Sequence, residues 1–301
     1  MYRKWLLSAC LFITAVGVFS QEKMQEKHDF VYKTVAGHNI MATAYLPESN
    51  GKLPVLIYFH GGGFMFGNRV QGLEETLKEK LLAAGIAVVS ADYRLAPETK
   101  LEEILRDASD AVRWVKTYGN RKFNIDTNRI AVAGGSAGGY LALSTGLDPQ
   151  FTPNAIVVVS SPTEFSTTGI QTGNLRLLQH IKKDSVVSHG DYGSRMDLWR
   201  YLGKNGLALY EIFGFDPVKE PRKLERYLLT HRIKSGYPPT LIVHAKNDHL
   251  VKFDEAKAFY SFLQEKEIPS KLYAVENGHS SDLINRYPDA VDAIIAFLTS
   301  L

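Results

Sequence analysis

The sequence has 301 residues, of which 45% are hydrophobic, and this is enough apolar material for one sizeable core in a single large domain. The formal net charge is only +3, and the 35 basic and 32 acidic residues are scattered along the chain. No basic stripe is visible, so the composition gives no support for binding to nucleic acid.

The first twenty residues have the pattern of a secretory signal peptide. Residues 1–4 form a short basic start, residues 5–19 are almost wholly apolar, and polar residues begin at Gln21. The apolar run is too short to predict a stable membrane span. We therefore expect residues 1–20 to be removed, and residues 21–301 to form an exported domain, either periplasmic or secreted.

The single cysteine, Cys10, lies inside this N-terminal segment. The domain that follows it then has no thiol for a disulfide, for cysteine catalysis or for a thiolate metal site. Residues 7–10 resemble a bacterial lipoprotein box, although most of the apolar residues follow Cys10 rather than precede it. Retention of the segment as an N-terminal or lipid anchor is therefore the alternative to its removal.

Short apolar runs alternate with longer amphipathic stretches along the rest of the chain. The first two runs, 30–35 and 40–46, predict a β-hairpin. The further predicted strands are 54–59, 86–91, 129–133, 155–160, 239–244 and 271–275, and the predicted helices are 73–84, 101–118, 252–266 and 283–298. This alternation predicts a mainly parallel central sheet that is covered by helices on both faces.

Residues 163–237 interrupt the alternation with about 75 residues, far more than the usual 2–6 of a loop in such a fold. Weak helical character is present at 175–181, 196–202 and 207–213. Large aromatic side chains are frequent, namely Tyr192, Trp199, Tyr201, Tyr210, Phe213, Phe215 and Tyr227. We predict a cap over the strand ends, in which most of these rings pack against the sheet and about one to three face a substrate.

Residues 134–138 read Gly-Gly-Ser-Ala-Gly and directly follow the predicted strand at 129–133. Helix-forming residues come next, at 140–143. A serine on such a sharp strand-to-helix turn has its hydroxyl clear of the sheet, and the flanking glycines avoid a clash of side chains. Ser136 is therefore the candidate nucleophile.

Residues 60–64 read His-Gly-Gly-Gly-Phe and follow the predicted strand at 54–59. Acyl transfer needs backbone N–H donors where negative charge develops on the carbonyl oxygen. Consecutive glycines let the backbone approach a substrate closely, and in lipases and esterases such a loop acts together with the residue after the nucleophile. We therefore assign the oxyanion hole to Gly62, Gly63 and Ala137.

A candidate acid and a candidate base follow the last two predicted strands. Asp248 comes after the strand at 239–244, and His279 comes after the strand at 271–275. The carboxyl ends of parallel strands are where such sheets bind their ligands, and the order serine, acid, histidine is typical of one class of triad. We expect His279 to accept the proton of Ser136, and Asp248 to hold the imidazole in the right tautomer.

Other residues compete for these two roles. His244 and His249 lie close to Asp248 in sequence, but neither of them follows the last strand. Asp254 falls in the first turn of a predicted helix, where a carboxylate favours the helix dipole, and Asp282 falls at the start of the last helix. These four residues are the alternatives to the acid and the base named above.

Taken together, these motifs resemble the hormone-sensitive-lipase-like branch of the α/β-hydrolase carboxylesterases. The residues that carry the resemblance are 60–63, 92–98, 134–139, Asn247 and Asp248 with Val251, and Gly278 with His279. The Asp-Tyr-Arg-Leu-Ala-Pro-Glu sequence at 92–98 is especially specific, because no general requirement of catalysis explains it. The resemblance runs from about residue 30 to the C-terminus, except for 163–237. The setting of the acid departs from the Asp-Pro-Leu-x-Asp pattern of many members and is closer to that of small secreted acyl esterases.

The resemblance implies an α/β-hydrolase fold and a serine hydrolase that cleaves carboxylic esters without a metal or organic cofactor. We expect short acyl chains on small alcohols or on sugars and polysaccharides, since an exported enzyme meets acylated glycans. Two other classes are kept open: an inactive ligand-binding protein of the same fold, and a peptidase with the same triad. The sequence does not indicate an oligomeric state.

Overall fold

The structure of the protein is a computed structural model that describes residues 26–165, 173 and 191–300. Its strands are β1 (Glu26–Val35), β2 (His38–Leu46), β3 (Leu53–Phe59), β4 (Ala87–Ala91), β5 (Ile125–Gly135), β6 (Ala155–Val159), β7 (Thr240–Ala245) and β8 (Ser270–Val275). They form one sheet of order β1-β2-β4-β3-β5-β6-β7-β8. The predicted mainly parallel sheet is confirmed, since β2 is antiparallel to β1 and β4 and all other neighbouring strands are parallel.

The predicted hairpin forms the outer edge of this sheet. Strands β1 and β2 pair in an antiparallel register, and the chain reverses at Ala36 and Gly37, which both have positive φ. The register of β1 shifts by one residue between Val31 and Lys33, which marks a β-bulge. This edge strand is therefore irregular.

Ten α-helices and a short 3₁₀-helix (Glu225–Tyr227) are present in the described residues. The α-helices are α1 (Glu75–Ala83), α2 (Leu101–Phe123), α3 (Ala137–Thr145), α4 (Tyr192–Lys204), α5 (Ala208–Phe213), α6 (Pro221–Leu224), α7 (Leu229–Arg232), α8 (Phe253–Glu265), α9 (Ser281–Arg286) and α10 (Pro288–Thr299). The alternation of strands and helices outside α4–α7 agrees with the sequence-based prediction.

Helices cover both faces of the sheet. In β3, Val55, Ile57 and Phe59 belong to a buried cluster with α2, α3 and α8, whereas Leu56 and Tyr58 belong to a second cluster with α1, α9 and α10. Successive side chains of a strand point to opposite faces, so a strand buried on both sides has no polar alternation. This explains why the central strands appear in the sequence as continuous apolar runs.

Two predicted helices differ from the structure. The single helix predicted over 283–298 is wrong: the chain forms α9 and α10, which are separated at Tyr287 by non-helical backbone with φ −122° and ψ 84°. The residue before a proline disfavours the α conformation, and Pro288 then begins the next helix. The helix predicted over 101–118 continues to Phe123, where Asn124 ends it in the left-handed conformation.

The described part of the long insertion, which we call the cap segment (residues 191–237), holds the four helices α4–α7. The predicted stretches at 196–202 and 207–213 correspond to α4 and α5, and the stretch at 175–181 lies outside the described residues. Contacts to the main body include a hydrogen bond from the Tyr140 hydroxyl, on α3, to the backbone oxygen of Tyr227. The cap segment therefore packs on the end of the sheet where the nucleophile turn lies.

The predicted signal peptide at residues 1–20 lies outside the described residues and stays a prediction. Helices long and apolar enough to cross a membrane do not occur among the residues that the structure describes.

A buried ion cluster fixes the long helix α2 to the sheet. The fully buried Asp107 accepts hydrogen bonds from Nε and Nη2 of Arg94, both at 2.7 Å, and from the Lys33 ammonium at 2.6 Å. Arg94 belongs to the conspicuous sequence 92–98. This sequence therefore has a structural role, because its arginine, Arg94, is the ion-pair partner of the buried Asp107 carboxylate.

We expect Asp107→Ala to destabilise the folded protein by about 3–5 kcal/mol, because the buried Arg94 guanidinium loses its buried counter-charge and keeps only the partly exposed Glu103 carboxylate, at 3.3 Å. The measurement is the free energy of unfolding of the variant and of the wild type, determined by urea unfolding. The control is Asp110→Ala, which removes a partly exposed carboxylate that also pairs with Lys33, at 2.7 Å, and should cost about 1 kcal/mol or less. An equal loss of stability in the two variants would contradict the view that Asp107 is the main counter-charge of Arg94.

Candidate active site

Ser136 lies on a sharp turn between β5 and α3. Its backbone has φ 51° and ψ −124°, a conformation that side-chain-bearing residues rarely adopt. The turn is held in place because the Ser136 N–H donates to the Val159 oxygen at 2.9 Å and the Ser136 oxygen accepts from the Gly139 N–H at 2.9 Å. The strand–turn–helix arrangement that the sequence predicts for a nucleophile is therefore present.

The glycines around this turn are required by close backbone contacts. A Cβ atom on Gly134 would lie 2.2 Å from the Gly138 oxygen, and one on Gly138 would lie 2.1 Å from the Phe59 oxygen. No side chain fits at these separations. The glycine pattern at 134–138 thus lets β3, β5 and the start of α3 approach one another closely.

The glycine-rich sequence after β3 forms a tight turn (residues 60–67), which we call the oxyanion loop after the role that the sequence predicts for it. The oxygen of Gly62 accepts hydrogen bonds from the N–H groups of Met65, at 2.9 Å, and Phe66, at 3.0 Å. Gly62 and Gly63 have positive φ, 112° and 56°. The conformation therefore depends on glycine at these two positions.

His60, at the start of the oxyanion loop, is buried and stacks on Tyr93 with 4.2 Å between the ring centroids. Its Nδ1 lies 2.7 Å from the Gly61 oxygen, and its own oxygen accepts from the Tyr93 hydroxyl at 2.8 Å. Burial lowers the pKa of His60 below its usual value. Burial therefore favours a neutral ring, and the contacts of this ring support the loop.

The candidate acid and base contact each other. Nδ1 of His279 lies 2.8 Å from Oδ2 of Asp248, although the two residues are 31 positions apart. Oδ1 of Asp248 accepts from the N–H groups of Leu250, at 2.9 Å, and Val251, at 3.0 Å. Burial disfavours the charged carboxylate, but these hydrogen bonds outweigh it, so the pKa of Asp248 is lowered to about 2.

This lowered pKa predicts how stability depends on pH. A carboxyl group whose pKa is lower in the folded than in the unfolded chain stabilises the fold fully above the unfolded value and less as the pH falls through the folded value. We therefore expect the stability advantage of the wild type over Asp248→Asn to shrink between about pH 4 and about pH 2. Urea unfolding at a series of pH values measures it, and a constant difference would contradict the lowered pKa.

The competing residues have other contacts. His244 is buried, with Nε2 3.0 Å from the Val251 oxygen and 3.6 Å from Oδ2 of Asp248. Asp254 and Asp282 lie in the first turns of α8 and α9. They form ion pairs on the same helices, at 2.7 Å each, with Lys257 and Arg286. Of the three carboxylates, Asp248 is the one that is paired with His279.

Ser136 and His279 line one cavity of about 520 Å³ at the carboxyl ends of the strands. The oxyanion loop contributes Gly61, Gly62 and Gly63 to the same lining. Most of the other lining side chains are aromatic or aliphatic: Phe64, Phe66, Phe165, Tyr192, Trp199, Ala208, Leu209, Ile212, Leu250 and Val251. The described lining contains no Asp, Glu, Lys or Arg. The cavity thus brings the nucleophile candidate and the base candidate together in apolar surroundings.

Two of the seven aromatic residues noted in the cap segment, Tyr192 and Trp199, line this cavity. Three others, Phe213, Phe215 and Tyr227, are buried in the core. Clusters of three or more His, Cys, Asp or Glu side chains that could hold a metal ion are absent from the described residues.

Sequence reasoning missed Glu74, a buried carboxylate at the start of α1. It accepts hydrogen bonds from the Tyr58 hydroxyl at 3.0 Å and from the Ser281 hydroxyl at 2.5 Å. Burial raises its pKa above the usual value. Glu74 therefore connects β3, which leads into the oxyanion loop, with the segment that follows His279. A single glutamate at the start of a helix carries no signal of such a role.

Residues 43–263 of the chain match the family model described as BD-FAE. The chain belongs to the BD-FAE family. The matched region of this BD-FAE member includes the oxyanion loop, Ser136 and Asp248, whereas His279 lies beyond it.

Named proteins are similar to this BD-FAE member over most of its length. Esterase LipC of Mycobacterium tuberculosis is 29% identical over 263 residues, which cover 82% of the chain and 58% of LipC. EstE1, a thermostable carboxylesterase from a metagenomic library, has a crystal structure with a TM-score of 0.68 at 26% identity, covering 91% and 88% of the two chains. The crystal structure of the acetyl ester-xyloside bifunctional hydrolase of Caldicellulosiruptor lactoaceticus has a TM-score of 0.68 at 22% identity. The match covers 91% of this chain and 96% of the hydrolase.

The α/β-hydrolase fold and the resemblance to carboxylesterases that the sequence predicts are confirmed by these similarities. The predicted enzyme class, a carboxylic ester hydrolase, is confirmed at the level of the family. The chain spans 58% of the length of LipC and smaller fractions of several other curated relatives. The activity of the whole protein and its substrates are therefore proposals.

Proposed function

We propose that the protein is a serine esterase with Ser136 as nucleophile, His279 as general base and acid, and Asp248 as the residue that orients the histidine. The observation that carries this proposal is the 2.8 Å contact of Asp248 with His279, at a cavity that Ser136 also lines. The contact between the acid and the histidine, and the position of that histidine at the cavity of the serine, support such a triad.

In the first half of the reaction, the Ser136 hydroxyl attacks the carbonyl carbon of the ester while His279 accepts its proton. The N–H groups of Gly62, Gly63 and Ala137 stabilise the oxyanion that forms. The C–O bond to the alcohol then breaks, and His279 gives the proton to the departing alcohol. The product of this half is an acyl group on Ser136.

In the second half, His279 takes a proton from water as the water oxygen attacks the acyl carbon. The bond between that carbon and the Ser136 oxygen then breaks, and His279 returns the proton to Ser136 as the acid leaves. The low pKa of Asp248 keeps this carboxylate charged throughout the neutral range. It accepts the hydrogen bond of Nδ1, so the other ring nitrogen, Nε2, is the one that faces the serine. The charge also stabilises the imidazolium that forms in each half.

The lining of the cavity favours a neutral ester. Apolar and aromatic side chains from the cap segment and the oxyanion loop surround the site, and the described lining has no charged partner for an ionised acyl group. We propose short acyl chains, with the cap segment covering the bound ester. The acyl groups of sugars or glycans are included, because a structurally similar protein is described as an acetyl ester-xyloside hydrolase and residues 1–20 predict export.

The test is hydrolysis of p-nitrophenyl esters from acetate to dodecanoate by the purified full chain, followed by acetylated xylo-oligosaccharides. We expect the highest kcat/KM with the shortest acyl chains, since aromatic rings restrict the cavity, and release of acetate from the acetylated sugars. Cleavage of the synthetic esters without release of acetate would remove the sugar proposal. No hydrolysis at any chain length would overturn the esterase proposal and favour a ligand-binding protein of the same fold.

A further inference from the structure

A buried arginine of the cap segment is bonded to the oxyanion loop. Arg195 lies in the first turn of α4, and its side chain is only 6% exposed. Its Nε donates to the Met65 oxygen at 2.8 Å, its Nη1 donates to Oε1 of Glu98 at 2.6 Å, and its Nη2 donates to the Ala96 oxygen. One guanidinium thus joins three segments of the chain that are far apart in sequence.

Met65 is part of the turn that fixes the glycines. Its N–H donates to the Gly62 oxygen, while its own oxygen accepts from Arg195. The neighbouring Phe64 oxygen accepts from the Ala96 N–H at 2.8 Å. Arg195 and the Ala96 backbone therefore hold the oxyanion loop directly after the two glycines whose N–H groups are proposed to bind the oxyanion.

A second residue on the same face of α4 contacts the loop. Trp199 lies four positions after Arg195, and its indole covers Gly63 so closely that a Cβ atom there would lie 2.3 Å from Nε1. Residues four apart on a helix lie one above the other. The face of α4 that carries both side chains therefore rests on the oxyanion loop.

An arginine at this buried position indicates that the side chain fixes the directions of the groups that accept its hydrogen bonds. The Glu98 side chain is 4% exposed, so the pair with Arg195 is removed from water. Apolar residues of similar volume often serve the stability of such a site equally well. A guanidinium differs from them in its planar fork of donors, which fixes the directions of several acceptors at once.

We propose that Arg195 is a positioning residue of the oxyanion hole, so that docking of α4 sets the directions of the Gly62 and Gly63 N–H groups. This inference rests on the proposed esterase function. A protein whose α4 is not bonded in this way still binds an ester in the cavity, but it stabilises the transition state less. The cap segment then contributes to catalysis as well as to substrate binding.

The test is Arg195→Lys in the full chain, with Arg200→Lys as the matched control. The lysine keeps a positive charge opposite Glu98 but has no planar fork for the Met65 and Ala96 oxygens. Arg200 lies on the same helix, is exposed, and pairs with Asp197 at 3.1 Å. For Arg195→Lys we expect kcat with p-nitrophenyl acetate to fall by about tenfold or more, part of the roughly 100- to 1,000-fold loss seen when an oxyanion donor is removed. KM should change by less than about twofold, because uniform binding is retained.

A second readout separates positioning from a merely structural role. A trifluoromethyl ketone forms a tetrahedral, negatively charged adduct with the serine, so its affinity reports the oxyanion hole. We expect its inhibition constant to rise by the same factor as kcat/KM falls, with active sites counted by burst titration. The double variant Arg195→Met with Glu98→Gln leaves no unpaired buried charge and should show the same loss.

The inference is overturned if folded Arg195→Lys and the double variant retain kcat within threefold of wild type, or if ketone affinity is unchanged while kcat falls. Failure of the proposed function has a different signature, because the wild type would then hydrolyse no ester or would retain its rate without Ser136. The control Arg200→Lys should keep the wild-type values, and an equal loss there would also overturn the inference.

Discussion

Ser136→Ala is expected to abolish ester hydrolysis and to leave the fold intact. In a hydrolase with such a triad, loss of the nucleophile lowers kcat by about 10⁶-fold. The backbone of Ser136, at φ 51°, is adopted by a residue that already carries a Cβ atom, so alanine adds no strain. The measurement is the hydrolysis rate of p-nitrophenyl acetate, with urea unfolding of both proteins to compare their stability.

The matched control is Ser144→Ala, on the same helix α3, where the hydroxyl donates to the Tyr140 oxygen at 2.8 Å. It should retain the wild-type rate. A Ser136→Ala protein that retains more than about one hundredth of the rate would show that another group attacks the ester.

Asp248→Asn is expected to lower kcat by about 10⁴-fold while the protein stays folded. The carboxylate can only accept the hydrogen bond from Nδ1 of His279, whereas an amide can present its NH₂ group to that nitrogen. The imidazole then carries its proton on Nε2, the atom that must receive the proton of Ser136. The enzyme keeps its cavity and its nucleophile but has the histidine in the wrong tautomer.

The control for this prediction is Asp254→Asn, which alters an exposed carboxylate in the first turn of α8. It should leave kcat unchanged. If Asp254→Asn or Asp282→Asn lowered kcat as much as Asp248→Asn, the assignment of the acid would be wrong. Rates measured from pH 6 to pH 9 also exclude a simple shift of the pH optimum as the cause.

The local geometry of the candidate site is predictable from short contiguous patterns in the sequence. The turn at Ser136 and the oxyanion loop each follow a strand directly, and close backbone contacts explain their glycines. The contact of Asp248 with His279 is predictable because both follow neighbouring parallel strands, whose carboxyl ends meet at one edge of the sheet.

The parts that could not be predicted depend on contacts between distant segments. Arg195 and Met65 are 130 residues apart, and Glu74 and Ser281 are 207 apart, so neither pair leaves a local pattern. The end of α2 shows the same limit. Gly119 favours a stop after residue 118, but the helix continues to Phe123. The glycine packs against Ile125, which is not visible from the local pattern, and a Cβ atom on it would lie 3.3 Å from Cδ1 of that side chain.

The bulge in β1 affects how the protein behaves when many copies are crowded together. A regular edge strand presents an unbroken row of N–H and C=O groups, which another sheet can extend into a larger aggregate. Here the register shifts between Val31 and Lys33, and the charged side chains of Lys27, Asp29 and Lys33 lie along the same strand. Side-by-side growth of the sheet from this end is therefore disfavoured, which lowers the tendency to aggregate at high concentration.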